Sequence, residues 1–135
     1  MPERYPAARW VISEDSPITS HEPLSCAVSH QQGYAVVSVT GDVDASTEQR
    51  FRDGLTAVLS DGVSRLVVDL DGVGFMASAG IGVLMGVRRV LADGGGLLVL
   101  AAPHGEVAQV LAMTGVSEVI PVAASVSDAV ARFDR

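Results

Sequence analysis

Ser78 stands where this sequence could place a reactive hydroxyl. An apolar run at residues 66–68 predicts a buried strand, because β-branched residues favour a pleated surface covered on both faces. We expect the strand to stop at Asp69 and a glycine-containing loop to cover residues 71–77. The helical pattern beyond it puts Ser78 at an N-cap, where a serine oxygen accepts a backbone N–H. The hydroxyl therefore has three candidate uses, as a cap, a nucleophile or a phosphate acceptor.

A hydrolase is the least supported of these uses. It would pair Ser78 with His104, but the nucleophile-elbow pattern G-x-S-x-G is absent because Met76 occupies the first glycine position. The sequence also indicates no carboxylate to orient the histidine. We therefore expect no catalytic residue.

Other chemistries lack their defining residues. A phosphoacceptor receiver domain requires a lysine, and this chain has none. Gly80, Gly82 and Gly86 miss the spacing of a dinucleotide-binding fingerprint by one residue, so close helix packing is the better explanation. The three histidines are too scattered to suggest a metal site, and no P-loop occurs. We therefore expect neither a cofactor nor a metal.

Hydrophobic periodicity predicts strands alternating with helices. Strands are predicted at residues 24–29, 34–40, 66–68, 97–100 and 119–122, and helices around Phe51, at residues 79–92, around Val110 and from Ser125 onward. This order implies a largely parallel sheet with helical cover. We predict one α/β domain with a mixed, mostly parallel sheet of about five strands, covered by about four helices.

Several local signals refine these elements. Gly33 is expected in the turn of a first hairpin. Asp44, and Ser46 with Gln49 three residues later, indicate the start of the first helix through a capping box. Pro121 cannot donate to a ladder, so the strand containing it should lie at an edge or end there.

The motifs around Ser78 resemble the STAS domain of bacterial anti-sigma factor antagonists. The usual family motif reads D-S-x-G-[LI]-G, and Ser78, Gly80, Ile81 and Gly82 match it, whereas Ala77 stands in place of the aspartate. The G-[DE]-[LV]-D pattern at residues 41–44 also matches. The resemblance extends from about Leu24 to the C-terminus, with strands and helices in the STAS order.

The resemblance implies a function and a set of site residues. Ser78 would be phosphorylated by an anti-sigma factor with serine-kinase activity, and binding that partner would release a sigma factor. A phosphate adds about −1.5 to −2 charges and would be stabilised near a helix N-terminus. The implied partner-binding residues lie in the serine loop, the helix after it and the loop at residues 41–44. They are Phe75, Met76, Ala77, Ser78, Ala79, Gly80, Ile81, Gly82, Asp42, Asp44, Arg88 and Arg89.

Ala77 leaves two outcomes open. Loss of the aspartate could abolish phosphorylation, or it could remove a repelling charge beside an incoming phosphate. If phosphorylation is lost, the chain would be a non-phosphorylated STAS scaffold or a module that senses a small ligand.

Composition limits the partners and the compartment. A chain of 135 residues suits one domain, and its net charge of −7 argues against direct binding to nucleic acid. Cys26 is the only cysteine, and the sequence has neither a signal-like segment nor an apolar run of membrane-spanning length. We expect a cytoplasmic protein with no membrane contact that is a monomer when free.

The first 22 residues are predicted to form a flexible arm, and residues 23–135 the STAS domain. The arm contains three prolines, several acidic residues and one short apolar patch at residues 10–12. Trp10 in that patch could dock on the domain or on a partner.

Overall fold

A computed structural model of the protein describes residues 24–134, which form an α/β domain. The predicted arm at residues 1–22 therefore lies outside the described residues. The strands are β1 (Ser25–Gln31), β2 (Tyr34–Thr40), β3 (Arg65–Gly72), β4 (Leu97–Ala101) and β5 (Val122–Ala123). The helices are α1 (Glu48–Ser60), α2 (Ser78–Asp93), α3 (Gly105–Met113), α4 (Val116–Val119) and α5 (Val126–Ala131), and a 3-10 turn (Arg132–Asp134) follows.

The five strands form one sheet in the order β1-β2-β3-β4-β5. The hairpin strands β1 and β2 pair antiparallel around Gly33, whose φ of +90° suits the turn, and the remaining neighbours pair parallel. The predicted mixed, mostly parallel sheet is confirmed. The described chain has five helices rather than about four, and the additional one is α4, which the sequence did not predict.

The larger part of the core lies between one face of the sheet and the helices α1, α2 and α3. Phe51, Leu55 and Val58 of α1 are buried there, as the periodicity predicts. The inner half of α2 contributes Val83 and Leu84. The pattern of these side chains is typical of helices that cover a parallel sheet.

The opposite face of the sheet carries a smaller cluster beneath α5 and the 3-10 turn. Val67 and Val99 of the central strands pack there with Ala129 and Phe133. The start of α5 agrees with the sequence, because the Ser125 hydroxyl accepts a hydrogen bond of 3.0 Å from the backbone N–H of Asp128.

The prediction that the central strand stops at Asp69 is wrong, because β3 continues to Gly72. The Asp69 carboxylate accepts hydrogen bonds from the Ser38 hydroxyl (3.3 Å) and from the backbone N–H of Asp71 (3.1 Å). The Gly72 carbonyl accepts from the Gly41 N–H at 3.0 Å, so backbone pairing with the end of β2 continues beyond the aspartate.

The predicted strand at residues 119–122 is also misplaced. Gly115 adopts a φ of +81° and residues 116–119 form α4, so pairing with β4 is limited to the two residues of β5. Pro121 cannot donate, but its carbonyl accepts from the Leu100 N–H at 2.9 Å. The predicted edge position is confirmed, since β5 ends the sheet.

The capping box expected at Ser46 and Gln49 is wrong, because α1 has Thr47 at its N-cap and no side-chain cap bond. The Asp44 carboxylate instead accepts from the backbone N–H groups of Ser46 (2.9 Å) and Thr47 (3.2 Å). Asp44 therefore stabilises the turn before the helix. Within residues 24–134, no helix combines the length and apolar character needed to cross a bilayer.

Candidate functional site

Two loops at the carboxyl ends of β2 and β3 are joined by a short stretch of parallel pairing. The Val43 N–H donates to the Phe75 carbonyl at 2.9 Å, and the Ala77 N–H donates to the Val43 carbonyl at 2.8 Å. This pairing brings residues 41–44 beside residues 75–78. The structure thus places Asp42 and Asp44, which flank Val43, next to the serine loop, an arrangement that the sequence could not establish.

The loop at residues 41–44 is held by its own polar contacts. The Thr47 hydroxyl donates to the Asp42 carbonyl at 2.7 Å and accepts from the Asp44 N–H at 3.0 Å. A hydrogen bond from the Ser46 hydroxyl, together with the N–H groups of Ser46 and Thr47, lowers the pKa of the Asp44 carboxyl. Asp44 is therefore a stable negative charge beside the serine loop at neutral pH.

Ser78 is the first residue of α2, and the predicted N-cap role is wrong. Ala77 occupies the cap with extended angles (φ −83°, ψ 170°), because its N–H is paired with the Val43 carbonyl and its own carbonyl accepts from the Gly80 N–H at 2.9 Å. A methyl group cannot cap, so α2 begins without a side-chain cap bond. The side chain of Ser78 is consequently not used to start the helix.

The Ser78 side chain is exposed and makes no hydrogen bond to another residue in the range 24–134. In that same part of the chain, the backbone N–H groups of Ser78 and Ala79 have no backbone acceptor, as is usual for a first helical turn. The ring of His104 donates from Nε2 to the Asp71 carbonyl at 2.8 Å. The Ser78–His104 pair that a hydrolase would use is therefore not formed among the described residues.

Two of the residues implied for partner binding are buried beneath the serine loop. Met76 is 2% exposed, and Gly80 leaves no room for a side chain, since a Cβ there would lie 2.6 Å from Val43 Cγ1 and 2.8 Å from Met76 Cγ. The absence of a side chain lets α2 approach the loop at residues 41–44 closely. Met76 and Gly80 therefore set the shape of the site from below.

The other implied residues lie at or near the surface. Phe75 is 42% exposed, whereas Phe51 and Phe133 are buried in the core. Gly82 and Arg89 are also exposed. Arg88 is half-buried, and its Nε donates to the Val119 carbonyl at 3.0 Å, which fixes α4 against α2. The partly exposed positions are Ala77, Ala79, Ile81, Asp42 and Asp44.

Sequence reasoning missed the structural role of Val43. This fully buried residue carries both backbone bonds to the serine loop, and its side chain fills the space opposite Gly80. The available signal was its apolar side chain between two aspartates, which is the alternation of a short half-buried strand. An isolated bridge of this kind is too short for periodicity to detect.

These features define a class of protein. The STAS domain family model matches residues 25–129. Since this covers most of the chain, the protein belongs to the STAS domain family. The resemblance of the chain to that family is thereby confirmed.

Individual relatives share a common name. An anti-sigma F factor antagonist of Paenibacillus polymyxa is 25% identical over 100 residues, which cover 73% of this chain and 86% of the relative. An anti-sigma-B factor antagonist of Staphylococcus aureus is 24% identical over 99 residues, covering 73% and 92%. The crystal structure of an anti-sigma factor antagonist from Mycobacterium paratuberculosis superposes with a TM-score of 0.77 at 26% identity, covering 83% of this chain and 95% of the other.

Alanine at positions 80 and 82 should have opposite effects on stability. Gly80→Ala places a Cβ within 2.6 Å of Val43, and we expect overpacking to lower the free energy of unfolding by about 1–3 kcal/mol. Gly82→Ala is its matched control on the same helix. No atom lies within 4 Å of the added Cβ, so the higher helix propensity should raise stability by about 0.5–1 kcal/mol. Urea unfolding of both variants measures the difference, and equal effects would contradict this packing.

Restoring a capping side chain at position 77 should stabilise the domain. Ala77 already has the extended backbone of an N-cap, so Ala77→Asp should raise the free energy of unfolding by about 1 kcal/mol. Ala77→Asn supplies a cap without charge, and Ala77→Leu supplies neither cap nor charge. A gain with asparagine but not aspartate would instead indicate that repulsion from Asp42 and Asp44 exceeds the capping energy.

Proposed function

We propose that this protein is an anti-sigma factor antagonist, a binding protein without catalytic residues. In this proposal it engages an anti-sigma factor with serine-kinase activity, releases a sigma factor, and is controlled by phosphorylation of Ser78. The names of the relatives support the general function. The finer proposal rests on the Ser78 hydroxyl, which is exposed at the start of α2 and does not cap the helix. Buried contacts of Val43, Met76 and Gly80 hold the loop before it in place.

The surroundings of Ser78 suit a phosphate. The N–H groups of Ser78 and Ala79 at the start of α2 lack backbone acceptors within the described chain, and the helix dipole favours a negative charge at this end. The modified residue would remain at the surface and leave the core beneath unchanged. The domain should therefore keep its fold when Ser78 is phosphorylated.

The same phosphate would oppose a bound partner. A protein pressed against Phe75 and Ser78 would have to desolvate about two added negative charges, next to the carboxylate of Asp44. Removing such a charge from water costs several kcal/mol unless the partner supplies matching cations. Phosphorylation is thus expected to end binding while the domain stays folded.

The proposed contact surface consists of the serine loop and the outer side of α2. Phe75, Gly82 and Arg89 are the members with the greatest access to a partner, while Met76 and Gly80 act by shaping the loop. Arg88 would contribute through its contact with α4. We also propose that the protein acts in the cytoplasm as a monomer when free and makes no direct contact with nucleic acid.

One alternative has an observation in its favour. Ala77 replaces the aspartate of the usual motif, and a kinase that needs this carboxylate would not phosphorylate Ser78. The protein would then be a STAS scaffold that binds its partner constitutively. The small-ligand alternative has no such support, since the described part of the chain buries no polar or charged residue that could orient a ligand.

Substitutions of Ser78 test the proposed switch. Wild-type, Ser78→Ala and Ser78→Asp proteins are used to capture the partner from native extract, and the purified partner is then titrated against each. We expect Ser78→Ala to bind like wild type and Ser78→Asp to bind at least tenfold more weakly, because the added carboxylate must be desolvated. Incubation with the partner and ATP should add one phosphate to wild type and none to Ser78→Ala.

The matched control is Ser127→Ala, which removes an exposed serine on α5. This variant should still accept one phosphate at Ser78, as the wild type does. If the partner binds the wild-type, Ser78→Ala and Ser78→Asp proteins equally and no phosphate is found at Ser78, the result would support the constitutive scaffold. Phosphate transfer to a serine other than Ser78 would contradict the assignment of the site.

A further inference from the structure

An open cavity lies at the amino ends of β3 and β4, where two arginines from distant parts of the chain meet. Its volume is about 140 Å³, and its lining includes Ser64, Arg65, Gly96, Arg132 and Phe133. The eight residues of β3 extend over about 23 Å at roughly 3.3 Å per step, and the serine loop follows the far end of this strand. The cavity is therefore well separated from Ser78. We call it the arginine cavity.

Both arginines keep their charge available for a ligand. Arg65 and Arg132 are exposed, and within residues 24–134 neither guanidinium forms an ion pair or a hydrogen bond. Asp128 lies one turn before Arg132 and lines a neighbouring depression, but these two side chains do not form an ion pair. In a chain with a net charge of −7, the arginine cavity is a local concentration of positive charge.

The backbone around the cavity is fixed by close contacts between two loops. The Leu97 N–H donates to the Ser64 carbonyl at 2.8 Å, and the Gly96 N–H donates to the Leu91 carbonyl at 2.7 Å. A Cβ at Gly96 would lie 2.1 Å from the Ser64 carbonyl oxygen, so only glycine permits this approach. The groups that line the cavity are therefore carried by a defined backbone.

The ring of Phe133 partly orders one of the arginines. This ring is 5% exposed, and its centroid lies 5.9 Å from that of Tyr34. The Arg65 Cζ atom lies 6.0 Å from the centroid of Phe133, within the range of a cation–π contact. A guanidinium that is ordered in advance loses less conformational freedom when it binds a ligand.

These groups match a small oxyanion. Guanidinium groups bind carboxylate and phosphate oxygens through paired N–H donors. The Ser64 hydroxyl makes no hydrogen bond to another residue of the described chain and can donate as well. A volume of about 140 Å³ corresponds to roughly five water molecules at about 30 Å³ each. The cavity thus has room for one phosphate group, and anything attached to that group would project into solvent.

We propose that Ser64, Arg65 and Arg132 bind a phosphate dianion, either free phosphate or the terminal group of a phosphomonoester. The site lies at the surface, so it does not require the buried polar group that an enclosed ligand-sensing pocket would use. The inference is independent of the function proposed above, because the arginine cavity and Ser78 lie at opposite ends of β3.

Titration of the full chain with sodium phosphate tests the site, with amide NMR spectra recorded slightly above neutral pH at constant ionic strength. We expect saturable shifts confined to residues 64–65, 95–97 and 132–133, with a Kd of about 1 mM or tighter. Arg65→Gln and Arg132→Gln should each weaken binding at least tenfold, because each removes a charged pair of N–H donors. Arg132 is exposed, so Arg132→Gln tests the site even where Arg65→Gln disturbs Phe133.

Arg52→Gln is the matched control. It removes one positive charge from α1 outside the cavity, and the exposed pair of Arg52 with Glu48 contributes little to stability. This variant should bind phosphate as the wild type does.

Glycerol 3-phosphate distinguishes the two sources of the dianion. Tighter binding of glycerol 3-phosphate than of inorganic phosphate supports a phosphomonoester, and the reverse order supports free phosphate. Equal shifts with sodium chloride, or equal weakening by Arg52→Gln, would overturn the proposal because only general screening of charge would then be observed. Shifts at the start of α2 that survive both cavity substitutions would also overturn it.

Discussion

The backbone pairing between Val43 and the serine loop is the interaction on which the site depends. Its two hydrogen bonds, to the Phe75 carbonyl and from the Ala77 N–H, fix the path of the chain between β3 and α2. The extended conformation that they impose on Ala77 determines that α2 starts at Ser78. The same pairing holds two aspartates beside the serine. Position, exposure and electrostatic surroundings of Ser78 therefore follow from one short bridge, which Gly80 makes possible by leaving space for the Val43 side chain.

Much of the fold could be predicted because its signals are local. Apolar runs at β2, β3 and β4 and the spacing of Phe51, Leu55 and Val58 are sufficient to predict strands and a helix over a parallel sheet. The failures occurred where distant parts of the chain decide the outcome. An aspartate after an apolar run is typical of a strand end. The Asp69 carboxylate, however, accepts a hydrogen bond from the Ser38 hydroxyl on the neighbouring strand, so β3 continues past it. Of the predicted strand at residues 119–122, Val119 ends α4 and only Val122 lies in a strand, because a short helix begins after Gly115, whose φ is +81°.

The candidate site shows the same division. Motif similarity was sufficient to select Ser78 and its neighbours, but it could not separate buried members from exposed ones. Met76 and Phe75 are adjacent and both apolar, yet only Met76 is buried, because it packs against Val43 and Gly80. Propensity favoured a serine cap, but tertiary pairing moved the cap position back by one residue. Distances between loops cannot be obtained from the local patterns that identified the motif.

The three glycines of α2 differ in whether the packing of the domain requires them. At Gly80 a side chain would collide with Val43, so glycine stabilises the packing even though it weakens the helix. At Gly82 and Gly86 the space is open, and glycine only weakens the helix. The packing of the described domain therefore explains the first glycine and not the other two. With glycine at positions 82 and 86 and with Val90 56% exposed, the outer side of α2 gives up helix stability and leaves apolar surface open to water, which is typical of a surface that contacts another molecule.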